Sequence, residues 1–232
     1  MKGWFVVPAA GVGKRFGGNI PKQYQQLAGK TIIEHTLDKL LSLLPDGVVV
    51  VIAPDDDHWQ SLSISNHPLI QVVHGGAERS DSVGLALQYL ESRLCAEDWV
   101  LVHDVARPCV SADDIARLVN TFECSDVGGI LAAPVSDTLK RASTERTIEV
   151  TEDRSQLWAA MTPQMFRFGV LQEALRRCKQ QGVIPTDEAM AVELMGLKPG
   201  LVEGRRDNIK LTRREDLVLA EAILEWQRQL SE

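Results

Sequence analysis

Several common features are missing from this 232-residue chain, and each absence removes a class of protein. No apolar run approaches the roughly 18 residues of a membrane-spanning helix, so no membrane partner is expected. The apolar stretch 5–10 is short and runs into glycines, unlike a secretory leader, so a cytoplasmic location is expected. Cys95, Cys109, Cys124 and Cys178 show no CxxC spacing. That disfavours a zinc site and a disulfide framework, and suits reduced thiols that pack as small apolar residues. There is no internal repeat and no low-complexity tract. Acids are absent from residues 1–30, which hold five bases: Lys2, Lys14, Arg15, Lys22 and Lys30. The other 202 residues carry 20 bases against 32 acids, or −12, within an overall −7. Such an acidic body excludes a general nucleic-acid coat. Its basic first segment points to a local site for a small anion.

What is present reads as a globular chain. Hydrophobic residues at 44% and charged residues at 25% are ordinary values, and the length suits one domain over 1–232 with one embellishment. Short Val-, Ile- and Leu-rich runs at 4–8, 48–53, 70–74, 99–103 and 129–133 predict buried strands. Helical patterns lie between them. Thr31 and Glu34 predict a capping box ahead of Ile33, Leu37, Leu40 and Leu44. Val83, Leu87, Leu90 and Leu94 form a stripe over 80–94. Ser111 predicts a cap for a helix burying Ile115, Leu118, Val119 and Phe122. Thr212 and Glu215 predict a second capping box. This alternation predicts an α/β fold, a doubly wound and mostly parallel sheet. Ligands then belong at the carboxyl ends of the strands. Residues 136–158 break the rhythm and predict a projecting β-arm; a solvated variable loop is the alternative.

The strongest local signal follows the first strand: Pro8-Ala9-Ala10-Gly11-Val12-Gly13-Lys14-Arg15-Phe16-Gly17-Gly18, then Pro21-Lys22-Gln23. Glycines let backbone N–H groups approach a phosphate chain, and the bases add full charges. Two familiar loops do not fit. The dinucleotide fingerprint needs a small residue where Phe16 stands, which disfavours an oxidoreductase. The P-loop needs Ser or Thr where Arg15 stands.

The segment resembles the sugar-phosphate nucleotidyltransferase superfamily. With His103-Asp104-Val105-Ala106-Arg107-Pro108 it resembles the 2-C-methyl-D-erythritol 4-phosphate cytidylyltransferase family of the non-mevalonate isoprenoid pathway. Other matching segments are Gly75 to Val83, Ala133 to Thr138, Thr162-Pro163-Gln164, Thr186-Asp187-Glu188, Val202-Glu203-Gly204 and Asp207 to Lys210. The likeness runs from about residue 4 to 225. It implies a Rossmann-like nucleotidyltransferase fold. It also implies that a polyol phosphate attacks the α-phosphorus of CTP and pyrophosphate leaves, with no covalent intermediate.

The same resemblance implies roles. Arg15 and Lys22 are the expected catalytic cations. Cytidine is expected near Ala9, Ala10, Gly11, Gly13, Gly76, Ala77 and Ser82; Ser82 either bonds the base or caps its helix. The acceptor phosphate maps onto Thr138, Arg154, Thr162, Thr186 and Lys210, although Thr186 also suits a helix cap. Asp104, just past a strand, is the expected Mg²⁺ ligand, with Asp207 a second candidate. Arg107 is either part of the site or a brace for its turn. His103 is expected to be a packed histidine. Ala77 stands where some relatives carry Asp, and Val105 where they often carry Ala. The arm is expected to dimerise the chain and to carry Thr138 and Arg154 into the partner's site. A ribitol 5-phosphate cytidylyltransferase and a non-catalytic CTP-binding module are the alternatives.

Overall fold

The computed structural model of the chain describes residues 3–11, 13, 16–17 and 20–230. Lys14 and the expected catalytic Arg15 lie outside the described residues. The chain opens with β1 (Trp4–Pro8), the small hairpin β2 (Gln26–Leu27) and β3 (Lys30–Thr31), and α1 (Ile32–Leu41). It continues through β4 (Gly47–Ile52), β5 (Ile70–His74), α2 (Arg79–Leu90), β6 (Trp99–Val102), α3 (Ala112–Phe122) and β7 (Gly128–Pro134). The arm follows as β8 (Lys140–Ala142) and β9 (Ile148–Thr151). Then come β10 (Trp158–Arg167), α4 (Phe168–Gln180), α5 (Glu188–Glu193), β11 (Gly200–Glu203) and α6 (Asp216–Gln229).

Seven strands form one sheet in the order β11-β7-β10-β6-β1-β4-β5. Only β10 runs antiparallel to its neighbours. All six residues of β4, Gly-Val-Val-Val-Val-Ile, are buried, as expected of a strand covered on both faces. Alternate residues serve opposite faces. Phe5, Val48, Val50 and Leu101 pack with Leu37 and Leu40 of α1 and Ile115 and Leu118 of α3. Val6, Val49, Val100 and Val102 pack with Val83, Leu87 and Leu90 of α2 and Leu171 of α4. Each such fully buried Leu or Ile contributes about 1.5–3 kcal/mol. A third cluster joins Phe16, Leu27 and Ile32 to Leu211 and Ala220 of α6. Phe16, the residue that breaks the dinucleotide fingerprint, is thus a core residue.

The five expected strands are present, and so is the arm, an antiparallel pair in which Lys140 faces Thr151. The Thr31–Glu34 capping box and the Ser111 cap form as expected. Two termini differ. Helix α2 ends at Leu90 rather than Leu94, and its capping box joins Glu78 to Asp81. Ahead of α6 the acid that engages Thr212 is Asp216, not Glu215: it accepts from the Thr212 amide, the Thr212 hydroxyl and the Arg213 amide. A carboxylate one residue further along reaches the same donors, so the spacing rule points to the wrong acid.

Candidate active site

The winding order reverses at β1: the chain steps outward through β4 and β5 on one side of it and returns to β6 on the other, all parallel to it. A crevice opens at that point, outside the carboxyl ends of the strands. It is a cavity of about 200 Å³. The loop after β1 forms one wall with Pro8 to Gly11 and Gly13, and the loop after β5 forms another with Gly76 to Arg79 and Ser82. Asp104 to Ala106, after β6, form the floor, and Lys22, Gln23 and Lys210 close the rim.

Short-range bonds hold these walls. The Ala9 amide donates to the Val51 carbonyl at 2.7 Å, and the Ala9 carbonyl accepts from buried Gln23 Nε2 at 2.7 Å. Gly75 permits a close approach: a Cβ there would sit 2.6 Å from Ala10 Cβ and 2.8 Å from Ser82 Oγ. Ser82 does not cap α2, whose cap is Glu78, and it lines the cavity. Its hydroxyl accepts from the Gly76 amide and donates to the Glu78 carbonyl, both at 3.2 Å, and so braces the wall. Gly13 turns the first loop with φ of 63° and lies against Lys22.

Asp104 is the electrostatic centre. Arg79 Nε donates to its Oδ1 at 3.0 Å, and Lys210 Nζ lies 2.7 Å and Arg107 Nε 3.8 Å from its Oδ2. Burial alone raises a carboxyl pKa, yet Arg79, Lys210 and Arg107 outweigh it and hold Asp104 well below the usual carboxylate range. The Asp104 amide donates to Thr162 Oγ1 at 3.0 Å. Thr162 Oγ1 also contacts His103 Nδ1 at 3.1 Å, while His103 Nε2 meets the Arg107 carbonyl at 3.1 Å. Burial pushes His103 down to about 4, so it is a neutral packed ring under the site. Arg107 braces the turn by donating to the Asn208 carbonyl at 2.7 Å and is only 11% exposed.

Lys22 reaches across the rim to donate to the Leu211 carbonyl at 2.8 Å, while the Leu211 amide donates to the Ala106 carbonyl at 2.8 Å. The expected triphosphate lysine and the expected acceptor lysine, Lys210, therefore meet at one short segment. The other expected acceptor groups are dispersed. Thr162 is buried beneath Asp104, and Thr186 is exposed, with amide and hydroxyl directed at Met190 Sδ. Asp187, not Thr186, caps α5. Thr138 and Arg154 lie on the exposed arm, where Arg154 Nη1 donates to the Ser136 carbonyl. None of these four lines the cavity. Asp207 does not line it either. Its carboxylate is gripped by Arg205 at 2.7–3.1 Å, and Arg205 lies over the Trp226 ring.

Two residues of the site were absent from the sequence expectations. Arg79 lines the cavity, and Glu188, 1% exposed, holds both its Nη atoms at 2.5 and 3.0 Å. Glu188 entered the sequence reading only as part of the matching Thr186-Asp187-Glu188 segment, without a role. Its partner is 109 positions away.

The model of the family described as "2-C-methyl-D-erythritol 4-phosphate cytidylyltransferase" matches residues 4–226. The chain belongs to this family. A relative from Ectopseudomonas mendocina with that name is 50% identical over 98% of both chains. One from Vibrio vulnificus is 51% identical over 94% of this chain and 93% of its own. Among solved structures, the family member from Francisella tularensis superposes with a TM-score of 0.83 at 38% identity, covering 96% of this chain and all of the other. That from Thermus thermophilus gives 0.79 at 31% identity over 96% and 98%. These likenesses establish the nucleotidyltransferase fold expected from the resemblance.

Proposed function

We propose that this chain transfers the cytidylyl group of CTP to 2-C-methyl-D-erythritol 4-phosphate, an early step in non-mevalonate isoprenoid synthesis. The observation that carries the reading is the family match over residues 4–226. The ribitol 5-phosphate alternative is not favoured, since the relatives matched at about half identity are named for methylerythritol phosphate. In the reaction an oxygen of the acceptor phosphate forms a bond to the α-phosphorus, the bond from that phosphorus to the bridging oxygen breaks, and pyrophosphate leaves.

The walls supply the cytidine subsite: Ala10, Gly76 and Ala77 offer backbone to the base edge beside a rim too narrow for larger side chains. Lys22, with Arg15, stabilises the negative charge gathered on the α-phosphoryl oxygens, where a water-poor crevice strengthens fixed cations. Lys210 delivers a point charge to the acceptor phosphate. Among the described residues no three His, Cys, Asp or Glu side chains converge as a metal centre. Asp104, a hard carboxylate on the cavity floor that Arg79 and Lys210 now engage, is nevertheless of the class Mg²⁺ takes, one or two at a time, with phosphate and water oxygens completing its shell. Asp104 would hold it; Asp207, turned to Arg205, has no such opening. The chemistry such an ion would supply there is charge neutralisation of the triphosphate.

Thr138 and Arg154 stand on an arm whose Ile148, Val150 and Trp158 are 67%, 48% and 38% exposed. That apolar surface supports a homodimer in which the arm brings both residues to the partner's acceptor site. The test of the reaction is direct: protein, Mg²⁺, CTP and methylerythritol phosphate are incubated and pyrophosphate is measured. Release is expected with this pair; release only with ribitol 5-phosphate overturns the reading. The arm is tested by mixing inactive Arg154→Ala and Lys22→Ala subunits. A two-fold dimer with sites completed in trans regains about a quarter of wild-type activity, because half the dimers are mixed and each restores one site. No recovery from verified mixed dimers removes the trans assignment.

A further inference from the structure

We propose that Glu188 is a positioning residue for this reaction, acting through Arg79 to fix the Asp104 carboxylate at the floor of the cleft. The proposal rests on the cytidylyltransferase reading. Glu188 opens α5, and Arg79 opens α2 immediately after the wall formed by Gly76 and Ala77. The Glu188 carboxylate takes one N–H from each Nη atom of Arg79, a bidentate fork that fixes the guanidinium plane. The remaining edge, Nε, then points at Asp104 Oδ1 at 3.0 Å. The rigid planar fork fixes the angle between the two carboxylates; a lysine in place of Arg79 offers a rotatable point charge that does not.

Glu188 is itself held. The Ala189 amide donates to Gln164 Oε1 at 2.9 Å, and Gln164 Nε2 donates to Asp187 Oδ2 at 2.9 Å. Gln164 lies on β10, which pairs with β6 at Val102, two residues before Asp104. The chain of contacts thus closes on itself: β6, β10, Gln164, the start of α5, Glu188, Arg79 and back to Asp104. With Oδ1 held by Arg79, Oδ2 is left facing Lys210, the residue assigned to the acceptor phosphate. Burying a carboxylate this deeply carries a large desolvation cost, and Glu188 does not line the cleft to repay it by touching substrate. Orientation of Arg79 is the task its position permits.

The test separates positioning from folding. Glu188→Gln keeps the shape but loses the second charged contact; kcat is expected to fall 10- to 100-fold, the usual effect of removing a residue that orients an active group. Glu188→Asp keeps the charge and is expected to recover most of that loss. The double variant Arg79→Met, Glu188→Leu replaces the buried pair by apolar groups, a change that commonly preserves stability. It is expected to melt near the wild-type temperature yet remain at least 10-fold low in kcat. A double variant with wild-type kcat and KM overturns the proposal, as does Glu188→Gln with unchanged kcat. If the wild-type protein itself releases no pyrophosphate, the reaction assignment fails instead, so the two failures are distinguishable.

Discussion

Gly75→Ala is the sharpest probe of how the cytidine wall is built. The added methyl would lie 2.6 Å from Ala10 Cβ, 2.8 Å from Ser82 Oγ and 3.2 Å from Val51 Cγ1. Carbon atoms in contact prefer about 3.5–4.0 Å, so the loops must separate by roughly 1 Å. No flexible tip can yield. Val51 is buried in the sheet, Ser82 is pinned to Gly76 and Glu78, and the Ala10 Cβ moves only with its backbone. Overpacking of this kind costs about 1–3 kcal/mol, and for a chain of this size each kcal/mol lowers Tm by about 2–4 °C. A drop of roughly 2–12 °C is therefore expected by thermal melting. Moving Ala10 from Gly76 also distorts the base subsite, and KM for CTP should rise at least about tenfold, equivalent to about 1.4 kcal/mol. Gly84→Ala is the control. Nothing lies within 4 Å of its added methyl, and Gly84 sits inside α2. There alanine is the better helix former by about 0.5–1 kcal/mol, so Tm should rise slightly with KM for CTP unchanged. The reasoning is refuted if Gly75→Ala melts and binds CTP like the parent, or if both variants shift Tm in the same direction.

Further predictions concern charges, thiols and the arm. Lys22→Ala should reduce kcat by roughly 10²- to 10³-fold, by analogy with lost oxyanion donors; steady-state pyrophosphate release checks it, and near-normal turnover removes Lys22 from the catalytic role. Lys210→Gln should raise KM for the acceptor more than KM for CTP in the same assay. Titration with a disulfide thiol reagent at pH 8 should find two fast thiols, the exposed Cys95 and Cys124, and two slow ones. Cys109 is buried and its thiol is pushed up to about 12 by that burial, so it joins Cys178 in reacting only after denaturation. On the proposed homodimer, Ile148→Asp with Val150→Asp should halve the mass seen by light scattering; a monomeric parent refutes the dimer, and an unchanged dimer mass counts against the arm as the contact.

Five of the parallel strands were legible because each is a short, largely apolar run that needs no partner to be recognised; β11, Gly-Leu-Val-Glu with Val202 alone buried, was not. Val48 to Ile52 is buried on both faces, so its hydrophobicity is continuous and its assignment secure. Strand β10 gives no such signal. It begins with exposed Trp158 to Ala160, contains Pro163 and Gln164, and its pairing to β7 is interrupted between Ala160 and Gln164. A proline cannot donate to a ladder, so its presence argues against a central strand unless an irregularity accommodates it. That irregularity is visible only once β6 and β7 are placed on either side.

The site divides along the same line. Cavity-lining residues with a local signal were readable: the glycines after β1 and Asp104 two positions past β6 from the strand pattern, and Lys22 in its Pro-Lys-Gln segment through the family resemblance. Residues that work through long-range pairing were not. Arg79 and Glu188 fall inside segments quoted for the family likeness, Gly75 to Val83 and Thr186-Asp187-Glu188, but nothing in either segment gives them a role. Their bond spans 109 positions, and neither spacing nor composition encodes it. The charge asymmetry of the sequence had the same blind spot. It credited the first 30 residues with the anion site, yet Asp104 gathers its cations from Arg79, Arg107 and Lys210, all supplied by the acidic remainder. An acidic chain can therefore gather several cations at one crevice, because the field at a buried point is set mainly by the few charges close to it and not by the net count.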